Sequence, residues 1–311
     1  MTTTFKTMPT FALPRPARRS SIIAALVSAV VNAVVIAALA GCSLIQLGYG
    51  QLDAILFRWL DRYVEFDDAQ SLRARTALDE ALAWHRRTQL PEYARLLARA
   101  EAEVVADATP EQMCGWANEI RGRLDPILQQ LAPAITDVAL TLTPAQLAAI
   151  EKRFAETNDE FRDDHLQRNP QRRQRATVKR ETERAEMLYG RLDEAQRALV
   201  VESVRSSPYS AEALDAERRS RQRDTLALLR RLRETGASRD DALAQVRAYL
   251  RTVDHSPREA YRAYTERVVA HNCALASALH NSASAAQRRE AALRLAAYRS
   301  DLRALIGEGA G

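Results

Sequence analysis

The segment LTPAQLAAIEKRFAETNDEF, residues 142–161, decides the fold class. Thr143 can cap a helix by accepting a backbone N–H. Pro144 suits the first helical turn, where its missing N–H would have no intrahelical partner anyway. Gln146 can reach back to the Thr143 N–H. An amphipathic helix follows. Working outward, the same signature, a capping residue with Gln or Glu three positions on, recurs at Asp67…Gln70, Thr109…Gln112, Asp193…Gln196, Ser256…Glu259 and Ser284…Gln287. Thr109-Pro110, Ser207-Pro208 and Ser256-Pro257 repeat the cap–proline pair. Gly190 and Gly236 fall where helix C-caps are expected.

Composition agrees with these signals. Between Gln51 and Ile306 the only glycines are Gly115, Gly122, Gly190 and Gly236. That is too few for the turns of an all-β chain or for the Gly-rich loop of a nucleotide-binding α/β protein. Hydrophobic residues are 47% of the 311 and charged residues 27%, enough to bury a core. The expectation is an all-α chain: a multi-helix antiparallel bundle of roughly ten helices behind an N-terminal lipoprotein signal peptide. The helices are expected at about 51–64, 69–87, 91–106, 110–131, 144–167, 170–189, 193–205, 208–235, 239–252, 257–281 and 285–306, with Pro126 kinking or splitting the fourth. They form one domain over about 51–306, or two sub-bundles, and about 307–311 is a frayed tail.

The N-terminus reads as an address. Lys6, Arg15, Arg18 and Arg19 precede an apolar run from Ile22 to Leu39, which ends in Leu39-Ala40-Gly41-Cys42. A basic region, an apolar region and small residues before a cut make a secretory signal. LAGC resembles the bacterial lipobox, which implies cleavage after residue 41 and a lipid on Cys42. The alternative is an uncleaved membrane anchor, since the run is just long enough to span a bilayer. Ser43, where an Asp would imply inner-membrane retention, implies by the same resemblance an outer-membrane lipoprotein facing the periplasm. Residues 42–50 form a short tether, and its Leu44, Ile45, Leu47 and Tyr49 are unlike a polar linker. Beyond it Leu52, Ile55, Leu56, Trp59, Leu60 and Tyr63 share one helix face, a core stripe or in part a contact with lipid headgroups.

Processing also settles the charge. Of 45 basic and 40 acidic residues, four basic and no acidic ones lie in 1–41, which leaves 41 against 40. Net basicity is therefore no argument for nucleic acid. With Cys42 taken by lipid, Cys114 and Cys273 are either a disulfide, which an oxidising periplasm permits, or two buried thiols. Their spacing does not decide between these. On the helix from Pro170, Arg172, Arg175 and Lys179 share one face, and Arg173, Arg180 and Arg184 form a second stripe. They read as a solvated face or as a contact for an anionic partner, whether lipid headgroups or acidic proteins.

Two resemblances follow from these residues. Residues 41–70, GCSLIQLGYGQLDAILFRWLDRYVEFDDAQ, resemble the opening of a family of uncharacterised proteobacterial lipoproteins. The resemblance rests on Leu47-Gly48-Tyr49, Trp59-Leu60-Asp61-Arg62-Tyr63 and Asp67-Asp68-Ala69-Gln70 and extends along most of the chain. It implies no activity. Leu142-Thr143-Pro144-Ala145-Gln146 resembles the LTxxQ motif of small periplasmic chaperones of the envelope stress response, and Leu192-Asp193-Glu194-Ala195-Gln196 is a degenerate second copy. The same residues also read simply as helix caps.

No HExxH, CxxC, Gly-x-Ser-x-Gly or phosphate-binding loop occurs. His271 and Cys273 stand two apart and so face different sides of a helix. No catalytic residue, metal site, cofactor or small-molecule substrate is assigned. The expected function is a non-enzymatic, membrane-anchored periplasmic lipoprotein that binds envelope proteins, chaperone-like. The alternative is a structural adaptor that docks an envelope complex.

Overall fold

The computed structural model describes residues 44–166 and 169–308. The signal segment, Cys42 and residues 309–311 lie outside the described residues. Twelve helices and no strand occur among those described. In chain order they are α1 (Leu44–Gly50), α2 (Leu52–Val64), α3 (Asp68–Glu103), α4 (Pro110–Gly122), α5 (Leu124–Ala139), α6 (Pro144–His165), α7 (Pro170–Tyr189), α8 (Glu194–Ser206), α9 (Ala211–Glu234), α10 (Arg239–Asp254), α11 (Glu259–Ser282) and α12 (Ala285–Glu308).

The caps read from sequence account for five of the twelve described helix starts. Asp67, Thr109, Thr143 and Asp193 each accept from the backbone N–H three residues on, and the glutamine there accepts from the cap's own N–H. Ser284 and Gln287 make the same exchange at 3.2 and 2.9 Å. Gly190 and Gly236 both adopt positive φ, a conformation that costs a Cβ-bearing residue energy.

Five expectations are corrected. The tether from Leu44 on is helical, as α1. The break expected near 87–91 is absent: α3 runs 36 residues straight through Pro91, a length of about 54 Å. A mid-helix proline costs about 3 kcal/mol, but Gln89, Leu90, Ala94 and Leu96 are buried around it, so packing holds the helix across the lost hydrogen bond. The fourth predicted helix does split, but at Arg123, so Pro126 sits in the first turn of α5, where no N–H is needed. The helix expected from 208 starts at Ala211 with Ser210 as its cap. The tail is helical to Glu308.

Ser256 departs from its expected box for a different reason. Its hydroxyl donates to the buried carboxylate of Glu217 at 2.8 Å and its oxygen accepts from the Arg258 N–H at 3.2 Å, two residues on and not three, and α11 begins after Arg258 without a side-chain cap. Glu217 also accepts from Arg221 at 2.8 Å and Arg258 at 3.2 Å. A buried carboxylate needs such partners.

Gly48–Gly311 forms one compact unit. The longest helix, α3, packs most extensively on the last, α12. Four apolar clusters make the core. Ala132, Ala139, Leu228, Leu232, Ala242, Val246 and Leu250 join α5, α9 and α10. Leu142, Leu147, Ile150 and Leu226 join α6 to α9. Phe57, Ala74 and Leu78 join α2 to α3. Leu192, Val200 and Leu279, with half-buried Ala185, Val204 and Leu275 around them, join α7, α8 and α11.

Where α3 passes the chain's start, the Tyr49 hydroxyl lies 2.9 Å from His85 Nδ1. Burial holds the His85 imidazole below its ordinary value. The folded state therefore binds its proton less readily than the unfolded chain, which titrates near pH 6.5. Stability from this group is complete above about pH 6.5 and is lost as pH falls through the lower folded value. Thermal melts between about pH 7.5 and pH 5 are expected to show a decline that His85→Gln makes shallower. Equal slopes in the two proteins would refute it.

Candidate functional site

Two features stand out from the residues upward: a set of paired caps and a groove. Four of the boxes share one pattern, an apolar residue, the cap, any residue, Ala and Gln. They are Phe66–Gln70, Leu142–Gln146, Leu192–Gln196 and Ala283–Gln287. In the fold these boxes pair. Gln146 Nε2 donates to Gln70 Oε1 at 2.6 Å and Gln70 Nε2 to Gln146 Oε1 at 3.3 Å. Gln196 and Gln287 exchange the same two bonds at 3.0 and 2.9 Å. Each Nε2 also donates to the carbonyl two residues ahead of the partner's cap: Gln70 to Thr141, Gln146 to Glu65, Gln196 to Ser282 and Gln287 to Arg191.

Each pair is thus a clasp with local two-fold symmetry, joining two helical hairpins, and the chain holds two of them. Gln70 and Gln196 are 1% exposed. A buried amide with all its groups engaged specifies one geometry, because any slip would strand them. The two LTxxQ-like boxes do not meet each other. Leu142–Gln146 meets the Asp67 box, and Leu192–Gln196 meets the Ser284 box.

The groove, about 960 Å³, opens between α7, α8 and α11. Ala185, Leu188, Val204, Leu275 and Leu279 give it an apolar floor. Arg173, Arg180, Arg184, Arg205 and Tyr209 stand along it. The predicted basic cluster is divided by helical phase. Arg173, Arg180 and Arg184 line the groove, while Arg172, Arg175 and Lys179 are exposed and take no part in it. Arg184 pairs with Glu181 at 2.9 Å and Arg173 with Glu212 at 3.7 Å. Arg180 donates to the Thr177 hydroxyl at 3.0 Å. Burial pushes the Tyr209 phenol up, with Tyr264 beside it adding to the shift. Burial raises Tyr189 to about 12, so both rings stay neutral hydrogen-bonding groups.

One wall depends on a covalent bond. Cys114 and Cys273 form a disulfide between α4 and α11, with Cα atoms 5.3 Å apart. Their neighbours Met113 and Asn272 both line the groove. None of the side chains of α4 is fully buried. Ser203 and His271 also meet here, with His271 Nε2 2.9 Å from both the hydroxyl and the carbonyl oxygen of Ser203. A carbonyl can only accept, so Nε2 carries the proton and cannot serve as a base toward that hydroxyl. His280 is likewise engaged, 2.8 Å from the Tyr189 hydroxyl and 2.6 Å from the Ala106 carbonyl. Among the described residues no three His, Cys, Asp or Glu side chains are grouped to hold a metal ion.

Sequence reading found the arginines of α7 but not Arg205, Tyr209 or His271, which reach the groove from three other segments. Among the described residues no helix is long and apolar enough to cross a membrane. No curated protein and no solved structure matches the chain. A family model described as a family of unknown function (DUF6279) matches residues 62–253. That segment includes three of the four paired boxes, α7, α8 and Cys114, while α11, Cys273 and the Ser284 box lie beyond it.

Proposed function

Since the chain belongs to DUF6279, a family of unknown function, we propose a role from its own residues: it is a non-catalytic binder of protein segments, held by a lipid on Cys42 to the periplasmic face of a bacterial outer membrane. The observation that carries this is the groove. An apolar floor flanked by arginines and tyrosine suits a segment with apolar side chains on one face and acidic or carbonyl oxygens on the other. Its arginines hold polar groups in place, and its floor removes apolar surface from water at about 25 cal/mol per Å². Such binding needs no nucleotide, which suits the compartment read from residues 1–42.

The test is an aggregation assay. The chain from Ser43 is expected to suppress aggregation of an unrelated denatured protein at a near-stoichiometric ratio. Leu188→Glu, which puts a charge into the half-buried floor, is expected to abolish that suppression while the circular dichroism of the fold is kept. Undiminished suppression by the variant would remove the groove from the mechanism. An adaptor role is the second reading, favoured by the exposed Ile55 and Trp59 on α2, close in sequence to Cys42. No suppression, together with one dominant crosslinked partner, would establish it instead.

A further inference from the structure

The outer face of α2 also exposes large apolar side chains. Phe57, Leu60 and Val64 point inward to the core clusters, and the acidic Asp53 and Asp61 are half-buried on that side, with Asp61 Oδ1 accepting from the Phe66 N–H at 3.0 Å. The exposed arc opposite carries Ile55, Arg58, Trp59 and Arg62. Ile55 is 47% and Trp59 54% exposed, one turn apart. Trp59 is braced by Tyr63, ring centroids 5.0 Å apart. The exposed arc of α2 holds no acid; Glu65 sits past its end. Two arginines framing a tryptophan and an isoleucine is the composition of a helix lying at a lipid–water boundary. There the indole sits at headgroup depth and guanidinium groups meet phosphates.

The chain itself says which surface is near. Ile55 lies thirteen residues after Cys42, so it can stand no farther than about 45 Å from the anchor even with the chain fully extended. We propose that the Ile55–Arg58–Trp59–Arg62 face of α2 rests on the anionic phospholipid surface of the leaflet that holds the anchor. This rests on the membrane-anchored reading above. The lipid tethers the chain, and this face then gives the body one orientation on the membrane.

The experiment uses the full chain, purified from bacterial membranes and reconstituted into vesicles of equal parts phosphatidylcholine and phosphatidylglycerol with brominated acyl chains. Bromine quenches indoles that reach the bilayer. The wild type is expected to lose fluorescence, and Trp59→Phe to lose the quenching while keeping its helical circular dichroism. Trp84 and Trp116 remain as unquenched controls. The double variant Arg58→Glu, Arg62→Glu is expected to reduce the quenching as well. A chain that floats with the vesicles but is quenched equally with and without Trp59 overturns the contact and leaves the anchor standing. Protection of Trp59 by a co-purified protein instead of lipid does the same. A chain that does not float with the vesicles overturns both the anchor and the contact.

Discussion

Gln196→Leu is expected to destabilise the fold by about 3 kcal/mol, more than any exposed cap in the chain, because each stranded buried polar group costs about 1–3 kcal/mol. The substitution keeps most of the side-chain volume. It removes the donors to Ser282 and Gln287 and the acceptor for the Asp193 N–H. Urea unfolding measures the loss. Gln112→Leu, in the exposed Thr109 box, is the control and should cost about 1 kcal/mol or less. The cycle of Gln196→Leu with Gln287→Leu should be strongly non-additive, since the second change also removes the groups stranded by the first. Additive losses would mean that the amides cap their own helices and do not clasp the two hairpins together.

Replacing Cys114 and Cys273 together by Ser is expected to cost roughly 2–5 kcal/mol, toward the upper end because 159 residues separate them and the unfolded chain gains the entropy of that open loop. The loss has a local part too. α4 buries none of its side chains fully, so without the bond it is held by half-buried contacts such as the stacking of Arg99 over Trp116, 4.1 Å from the ring centroid. Hydrogen exchange should therefore rise first over residues 110–122. With Met113 free to leave, one wall of the groove opens. Unchanged exchange in α4 and an unchanged urea midpoint with and without reductant would show that the bond contributes nothing.

The helices were legible where the signal was local. Thr143 and Gln146 are three residues apart, and the geometry of a helix start needs nothing else to make their exchange. Local rules failed where a distant group intervened. Ser256 reads as a cap for the residue three on, but its side chain is held toward Glu217, 39 residues upstream, and its oxygen accepts from the Arg258 N–H instead. The pattern ends one helix near 87 and starts another near 91, but side chains buried around Pro91 keep α3 continuous. The groove was half legible for the same reason. The phase of one helix separates Arg173, Arg180 and Arg184 from Arg172, Arg175 and Lys179. Nothing in α7 foretells that Arg205 and His271 will stand across from it. The clasps were visible only as four similar boxes. Which box meets which is set by hairpin packing over separations of 76 and 91 residues, and sequence spacing carries no trace of that choice.

The packing of α3 on α12 also dictates an order of events. A chain made from its N-terminus makes α3 long before α12, with Leu90, Ala94 and Leu96 along it still wet. The helix that packs on it most extensively, residues 285–308, is made only after α4 to α11. The partner of Cys114 and the Ser284 half of the second clasp arrive with that helix or just ahead of it. α3 must therefore wait, with part of its apolar side open, until α12 emerges. A stop codon anywhere before residue 285 would leave an unclosed molecule and not a shorter folded one.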